Sequence, residues 1–435
     1  MQDEFDVIVV GGGISGLWAT LDLTLRGLRV LLIERKVLGG ETSGKFHGLL
    51  HSGARYVVTD PPAARECAEE NKILSQIAPH AIEDTGGFFV AVTRSDEEYY
   101  EDFISGLKRT GITFKEWDPR EAVKEEPNLT SEARLVVEVP DKVVYSRDLV
   151  ASIALTAFKN GALILEGLEA KGLEIRDSNN AIYTVDRLTG REYTFKAKAI
   201  VNATGPWAAE FARKAGVEVE VLPTAGTMVV YSRRLTRRVI NRMRPPSEGD
   251  ILVPYSNTSI MGTTAFLIDD VESASPEPED IDFLTKEGSL MVPALAKTPV
   301  LRAYTSVRPL IRIPGGPVTR DFMVVKHNEV EGLFTVIGGK FTTGRLMGEK
   351  VGDTVSEYLG LKRKSLTRIT KLDGEDPYSE IDELARGAGS KLGLAINYLA
   401  MLRGGIDEDR GRPGVYMLLQ ALVSLHSRSK LGLVG

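Results

Sequence analysis

The stretch Phe5–Glu34, FDVIVVGGGISGLWATLDLTLRGLRVLLIE, decides the fold. Its opening run, Phe5–Val10, is apolar and rich in Val and Ile, the composition of a strand buried on both faces. Gly11-Gly12-Gly13-Ile14-Ser15-Gly16 follows at once. Leu17–Arg26 then carries apolar residues at helical spacing, with Gly27 as its stop. Arg29–Ile33 reads as a second buried strand and ends in Glu34, which completes a strand–helix–strand unit. The glycines at 11, 13 and 16 let the backbone turn tightly, approach a pyrophosphate and pack the helix on the strand. The helix N-terminus supplies N–H groups and positive dipole to the phosphates. Alone, such a glycine pattern marks many turns. Here it follows a strand, opens a helix and is answered by Glu34, whose carboxylate accepts from ribose hydroxyls and repels a 2′-phosphate. A dinucleotide site is expected.

Two further glycine turns decide which dinucleotide. Asn202-Ala203-Thr204-Gly205-Pro206-Trp207 follows the buried strand Ala199–Asn202, and Gly338-Gly339-Lys340-Phe341-Thr342-Thr343 follows Leu333–Ile337. Each resembles a segment at which the backbone of FAD enzymes passes close to the cofactor. Three such turns in this order favour FAD over a nicotinamide. Between them, Gly86–Val92, Leu135–Val139, Leu163–Leu165, Met228–Tyr231, Ile251–Pro254 and Thr258–Met261 read as strands. Ala63–Leu74, Glu97–Thr110 and Arg147–Asn160 read as helices. The nucleotide-binding pieces are therefore dispersed, with a strand-rich domain inserted among them. After Leu361 the pattern becomes helical, at Ser379–Leu402 and Val415–His426, and implies a small C-terminal appendage.

Composition bounds the partners. A net charge of −6 over 435 residues argues against nucleic acid, which needs an excess of cations. Cys67 is the single cysteine, so neither an internal disulfide nor a four-cysteine cluster is expected, and no metal site stands out. Its helical surroundings point to a buried structural thiol. No apolar run approaches the ~20 residues that span a bilayer, and no signal peptide is evident, so the cytoplasm is the expected location. Glutamine occurs only three times, the depletion seen in heat-adapted chains.

The stretch Leu38–Tyr56, LGGETSGKFHGLLHSGARY, carries a family likeness. It closely resembles the FAD-dependent glycerol-3-phosphate dehydrogenases, above all the A-type subunit of the anaerobic enzyme. The likeness continues through VTDPPAARECAEEN (58–71), VNATGPWAAE (201–210), INRMRPPSEGDILVP (240–254), MGTT (261–264), LRAYTSVRPL (301–310) and GGKFTTGRLM (338–347). It implies an α/β protein: a glutathione-reductase-like FAD-binding domain, an inserted antiparallel-sheet substrate cap and a small helical C-terminal segment. The expected division is 1–80, 146–210 and 326–360 for FAD binding, 81–145 and 211–325 for the cap, and 361–435 for the helical part.

The resemblance also implies the site. Arg55, Tyr56, Arg308 and Lys340 match the family's substrate residues, Arg320 resembles a further one, and Thr264 lies in the matching turn. His51 matches the histidine beside the flavin. FAD contacts are expected from Gly11, Gly13, Ile14, Ser15, Gly16, Glu34 and Arg35 at the nucleotide end. Thr42, Ser43, His47, Gly48, Leu50 and Ala170 come next, followed by Ala203, Thr204, Gly205 and Trp207. Gly338, Gly339, Lys340, Phe341 and Thr342 complete the set. Two departures stand out. Where some relatives place a histidine on the strand entering the cap, this chain reads Gly226-Thr227-Met228, and residues 361–435 lack the cysteine-rich extension of the A-type relatives.

The chemistry follows from these residue types. Oxidising sn-glycerol 3-phosphate to dihydroxyacetone phosphate moves a hydride from C2 to the flavin and a proton off the hydroxyl. Arginine forks match phosphate oxygens, so Arg55 and Arg308 form the expected clamp, with Arg320 in reserve. His51 is the candidate base, since an imidazole titrates near neutrality, and His47 is its rival. Lys340 is placed either on the developing alkoxide or on the negative charge of reduced flavin. Two other functions compete: an FAD oxidoreductase of a 2-hydroxy acid or amino acid, and a flavin-binding relay protein without a substrate. Electrons are expected to leave to a quinone or a membrane-anchoring partner protein, which would place the enzyme peripherally on the inner face of the cell membrane. A homo-oligomer is expected, with Val415–Leu425 as the helix that seals a dimer or closes the core, and docking on a membrane subunit as its second role.

Overall fold

The computed structural model describes residues 4–176, 179–312, 318–319, 321–388 and 412–433. The chain divides into two compact units. One comprises Met1–Gly44, Ser146–Leu222 and Pro309–Gly435; the other comprises Lys45–Tyr145 and Pro223–Arg308.

The first unit is built on an eight-stranded sheet. Its parallel core runs Leu163–Glu166, Val30–Glu34, Glu4–Val10, Glu192–Asn202, Leu333–Gly338. In register, Val7 faces Val30 on one side and Ala199 on the other. Crossover connections bury both faces of such a sheet, and the Val/Ile/Leu composition of these strands answers that demand. The antiparallel strands Leu168–Glu174 and Asn180–Asp186 join the first half of Glu192–Asn202. One face packs Phe5, Ile8, Leu31, Leu165, Ile182, Phe195 and Ile200 into a core.

Helix Ile14–Leu25 packs against helices Gly344–Tyr358 and Ser146–Lys159. Gly344, Gly348 and Gly352 recur at one-turn spacing on the facing side. A Cβ on Gly348 would lie 2.5 Å from the Trp18 backbone carbonyl carbon, so the close helix approach requires glycine.

The C-terminal segment is part of this unit. Helix Arg412–Lys430 lies along the edge strand Leu163–Glu166 and supplies the partners that a further strand would give. The Ile164 and Glu166 amides donate to the Ser427 and Ser424 hydroxyls, both at 3.0 Å. Arg428 donates to the Glu166 carbonyl at 2.7 Å and pairs with Asp186. An uncovered edge invites pairing with another chain; this helix removes it. Tyr416, Leu419, Leu422 and Val423 are wholly buried within the chain, so Val415–Leu425 closes a core. Of the expected helix Ser379–Leu402, the described part is Pro377–Ala388; the remainder lies outside the described residues.

The second unit carries the sheet of the inserted domain. Its strands run in the order Val300–Arg312, Leu222–Tyr231, Thr258–Gly262, Ile251–Tyr255, Val239–Arg242, Gly87–Ala91, Leu135–Val139, Lys115–Trp117. The described pairings are antiparallel except one, Val239–Arg242 beside Gly87–Ala91. Helix Pro278–Met291, which the sequence reading did not foresee, packs on strand Thr258–Gly262 and buries Leu284 and Met291. A separate three-stranded sheet joins Leu49–Leu50, Lys142–Val144 and Ile82–Glu83.

This unit begins at Lys45, where the sequence reading began the cap at residue 81, and it takes in helix Pro61–Ile77. The reason is the burial of that helix's Cys67 and Ala64 against Phe89, Phe103 and Val137. Among the described residues, no helix is long and apolar enough to cross a membrane.

Candidate active site

The nucleotide end of the first unit is a glycine turn closed from two sides. Gly11 sits at φ +107°, where L side chains are strained, and a Cβ there would overlap the Ala203 carbonyl oxygen. A Cβ on Gly16 would overlap the Gly11 carbonyl, so helix and turn approach only without side chains. Ala203, which follows the strand Glu192–Asn202, donates its amide to Val10 at 2.9 Å and thereby sets the second glycine turn against the first. Thr204 donates through its hydroxyl to Asn202 at 2.7 Å, and Asn202 in turn donates to the Ala208 carbonyl.

Glu34 accepts from the Gly12 amide at 2.7 Å and from the Lys36 amide at 2.7 Å. Burial pushes its carboxyl above the ordinary range, and the two amide bonds from Lys36 and Gly12 oppose that push. The Ser43 hydroxyl accepts from the Ile14 amide at 2.9 Å, so it already meets one of the orphan donors of the helix N-terminus. Ser15 lies in the first turn of that helix, and Gly13 precedes it with a Cβ position 3.3 Å from the Ser43 hydroxyl. The Arg35 guanidinium lies 4.3 Å from the centre of the Trp207 ring.

The third turn belongs to the same unit. Gly338 and Gly339 adopt φ of +81° and +82°, and the Gly339 amide donates to Asp321 at 2.9 Å. Lys340 is half-buried, and its amide meets the Thr343 hydroxyl at 3.2 Å; Phe341 and Thr342 continue the turn into helix Gly344–Tyr358. Ala170 lies at an irregularity of the outer antiparallel pair, opposite Thr184. Arg320 lies outside the described residues. A turn that admits no Cβ, a half-buried acid beside it and two further glycine turns fit a dinucleotide with two ribose–phosphate halves.

The second unit carries His47, Gly48, Leu50, His51, Arg55 and Tyr56 on one short segment, and Thr264 and Arg308 elsewhere. Strand Leu49–Leu50 pairs with Lys142–Val144, and Gly48 is pressed against the Tyr255 ring. His47 is buried, and its Nδ1 accepts from the Leu49 amide at 3.1 Å. That bond commits Nδ1 as an acceptor. His51 is half-buried, with its ring centre 6.3 Å from that of His47 and 5.5 Å from that of Tyr56. The Asp141 carboxylate accepts from the Ser52 amide at 2.7 Å and fixes the backbone beside His51. Burial raises the Asp141 carboxyl, while the Ser52 amide, the Ser52 hydroxyl, Asn241 and Arg55 pull it down. A Cβ on Gly53 would overlap the Ala64 carbonyl, which holds the 3-10 turn Ala54–Tyr56 onto helix Pro61–Ile77.

Arg55 has small neighbours in sequence but not in space. It is buried, and its Nη2 donates to the Asp250 carboxylate at 2.8 Å and to the Ser247 carbonyl at 2.9 Å. Its Nε and Nη1 donors are buried without a hydrogen-bond partner among the described residues. Arg308 is half-buried and donates through Nη2 to the carbonyls of Thr264 at 2.9 Å and Ala225 at 3.2 Å. The Thr264 hydroxyl is already used, accepting from the Thr227 amide at 3.0 Å. Thr264 therefore orients Arg308 through its carbonyl.

Three contributors escaped the sequence reading. Gly226 leaves room for Arg308, because a Cβ there would come within 2.6 Å of its Nη2; a glycine inside a strand was the available signal. Tyr304 donates to the Phe46 carbonyl at 3.1 Å, and burial pushes its phenol above the ordinary range. Asp250 holds Arg55 across a sequence separation that no local pattern reveals.

The chain resembles known proteins over most of its length. The FAD dependent oxidoreductase family model matches residues 6–354. The A-type subunit of the anaerobic glycerol-3-phosphate dehydrogenase of Escherichia coli (strain K12) is 38% identical over 387 residues, spanning 86% of this chain and 71% of that one. The A1-type subunit from Haloferax volcanii is 36% identical, spanning 87% and 68%. Among solved structures, the glycerol-3-phosphate dehydrogenase from Bacillus halodurans complexed with FAD superposes with a TM-score of 0.67 at 22% identity, over 92% of this chain and 75% of that one. Glycine oxidase from Geobacillus kaustophilus gives 0.70 at 21% identity, over 85% and 98%, which shows a shared fold. The chain is an FAD-dependent oxidoreductase and belongs to the family of the A-type subunits of anaerobic glycerol-3-phosphate dehydrogenase.

Proposed function

We propose that this chain oxidises sn-glycerol 3-phosphate to dihydroxyacetone phosphate. The observation that carries the reading is Arg55: a buried guanidinium, tied at one nitrogen to Asp250, with three N–H donors on Nε and Nη1 unmet among the described residues. A buried charged donor without a partner is costly, and a phosphate oxygen is the acceptor this family's substrate provides.

Bound FAD supplies the hydride acceptor. The chain's own residues do the rest. Arg55 and Arg308 hold the phosphate, and Tyr56 makes the third substrate contact. His51 takes the hydroxyl proton, because His47 has Nδ1 committed to the Leu49 amide and is the more buried of the two. Lys340 and Arg320 remain proposed as further cations toward the substrate. Glu34, Arg35, Ser43 and the three glycine turns hold the nucleotide.

The names of the relatives support the same substrate. Electrons then pass to a quinone or a partner protein, since the single cysteine of these 435 residues cannot ligate a cluster. Peripheral attachment to the inner face of the membrane and a homo-oligomeric state belong to this proposal.

The fold shared with glycine oxidase keeps amino and 2-hydroxy acids as the alternative substrates. Anaerobic mixing of the FAD-loaded protein with glycerol 3-phosphate, L-2-hydroxyglutarate or glycine separates them. Bleaching of the flavin by glycerol 3-phosphate alone is the expected result. Bleaching by either acid instead overturns the substrate, and bleaching by none of them returns the chain to a relay role.

A further inference from the structure

We infer that Asp250 is a positioning residue for the substrate phosphate, acting through Arg55 at the end of a chain of alternating charges. The inference rests on the substrate reading above. The chain begins at Asp96, which caps helix Arg94–Glu98 by accepting from the Val92 and Thr93 amides at 2.9 and 3.0 Å. Arg242 Nε donates to both Asp96 oxygens, at 3.0 and 3.2 Å, and Arg242 Nη1 to Glu287 at 2.9 Å. Arg244 bridges Glu287 at 3.0 Å and Asp250 at 2.7 Å. Asp250, fully buried, takes Arg55 on its other oxygen at 2.8 Å, where it also accepts the Ser247 amide at 2.6 Å.

Three cations and three anions alternate, so the network is internally balanced. Its two ends differ. The Asp96 end is satisfied by backbone amides, whereas the Arg55 end retains donors on Nε and Nη1 that meet nothing among the described residues. Both hydrogens of Arg55 Nη2 are spent, one on Asp250 and one on the Ser247 carbonyl. That fixes the guanidinium plane and determines which donors are left for an anion. A planar fork held in this way loses little freedom on binding a phosphate. Asp250 touches neither substrate nor flavin in this assignment. It sets the aim of the group that does.

The test uses the FAD-loaded protein. Asp250→Asn is expected to raise KM for glycerol 3-phosphate roughly tenfold to a hundredfold, with kcat within about twofold, because aim is lost while the reacting centre is untouched. Inorganic phosphate, titrated by calorimetry into the oxidised protein, is expected to bind more weakly by a similar factor. In an Arg55→Ala background, Asp250→Asn is expected to change KM no further, since its effect runs through Arg55. Additive effects, or a fall in kcat at unchanged KM, overturn the inference.

Should Asp250→Asn fail to retain FAD, Asp250→Glu carries the same comparison. It is expected to raise KM less and, again, only where Arg55 is present; no rise, or the same rise without Arg55, overturns the inference. If glycerol 3-phosphate fails to bleach the wild-type flavin, the substrate reading fails. The calorimetric comparison still decides whether Asp250 aims Arg55 at an anion.

Discussion

At the scale of single residues, the two arginines of the proposed clamp are held by acceptors of two kinds. Arg308 is oriented by neutral carbonyls of Thr264 and Ala225, whereas Arg55 is held by a carboxylate. Arg308→Ala should raise KM for glycerol 3-phosphate by at least about tenfold, since removing one member of a buried charge pair costs about 2–5 kcal/mol. Steady-state kinetics check this, and an unchanged KM removes Arg308 from the clamp.

His51→Ala should slow flavin reduction about 100-fold or more in a single-turnover experiment while FAD stays bound, the usual contribution of a positioned base. Reduction at the wild-type rate would place the base elsewhere. Arg55, Arg308 and His51 are proposed from the sequence because each sits in a local motif. Asp250, Gly226 and Tyr304 are not, because each matters only through a residue distant in sequence.

At the scale of elements, local pattern found the elements better than their ends. Leu135–Val139 was read with its observed bounds, but Met228–Tyr231 extends back to Leu222, and Ala199–Asn202 extends back to Glu192. The added residues of the second strand alternate exposed and buried along the hairpin partner Asn180–Asp186, whereas Thr224 and Ala225 of the first pair with Leu267 and Phe266, distant in sequence. Likewise Glu97–Thr110 is two helices, Arg94–Glu98 and Tyr100–Thr110, the first opened by the Thr93–Asp96 capping box. The glycine stripe of helix Gly344–Tyr358 and the hydroxyls of Ser424 and Ser427 are contact features. They acquire meaning only beside Trp18 and the edge amides of Ile164 and Glu166.

Helix packing also creates a titrating group. Asp22, in helix Ile14–Leu25, is buried, and burial raises its carboxyl to about 6 against bonds from Ser365 and Arg26. A folded-state value above the unfolded 3.8 means that the native protein binds this proton more tightly. The associated stability is fully present below that unfolded value and is lost as pH rises through about 6. Between pH ~4 and ~7 this group should withdraw about 2 kcal/mol from the wild type and nothing from Asp22→Asn. Urea unfolding of both proteins across that range checks it. A wild-type-minus-variant difference that stays flat or grows with pH contradicts it.

At the scale of the whole molecule, the FAD-binding unit was legible because three glycine turns follow three parallel strands, each for a steric reason that the sequence displays. The division between units was less so. Lys45–Tyr56 follows directly on the nucleotide motif and reads as its continuation, yet it belongs with the inserted domain because Leu49–Leu50 pairs with Lys142–Val144. The consequence is functional. Of the proposed substrate residues, His51, Arg55, Tyr56, Thr264 and Arg308 belong to the inserted unit, and Lys340 belongs to the other.

The claim on which this account stands is that the protein recognises a phosphate dianion. Stopped-flow reduction of the FAD-loaded protein under anaerobic conditions, comparing glycerol 3-phosphate with glycerol, tests it directly. Saturable flavin bleaching by glycerol 3-phosphate, with none by glycerol at the same concentrations, is the predicted result; equal bleaching by both would contradict it.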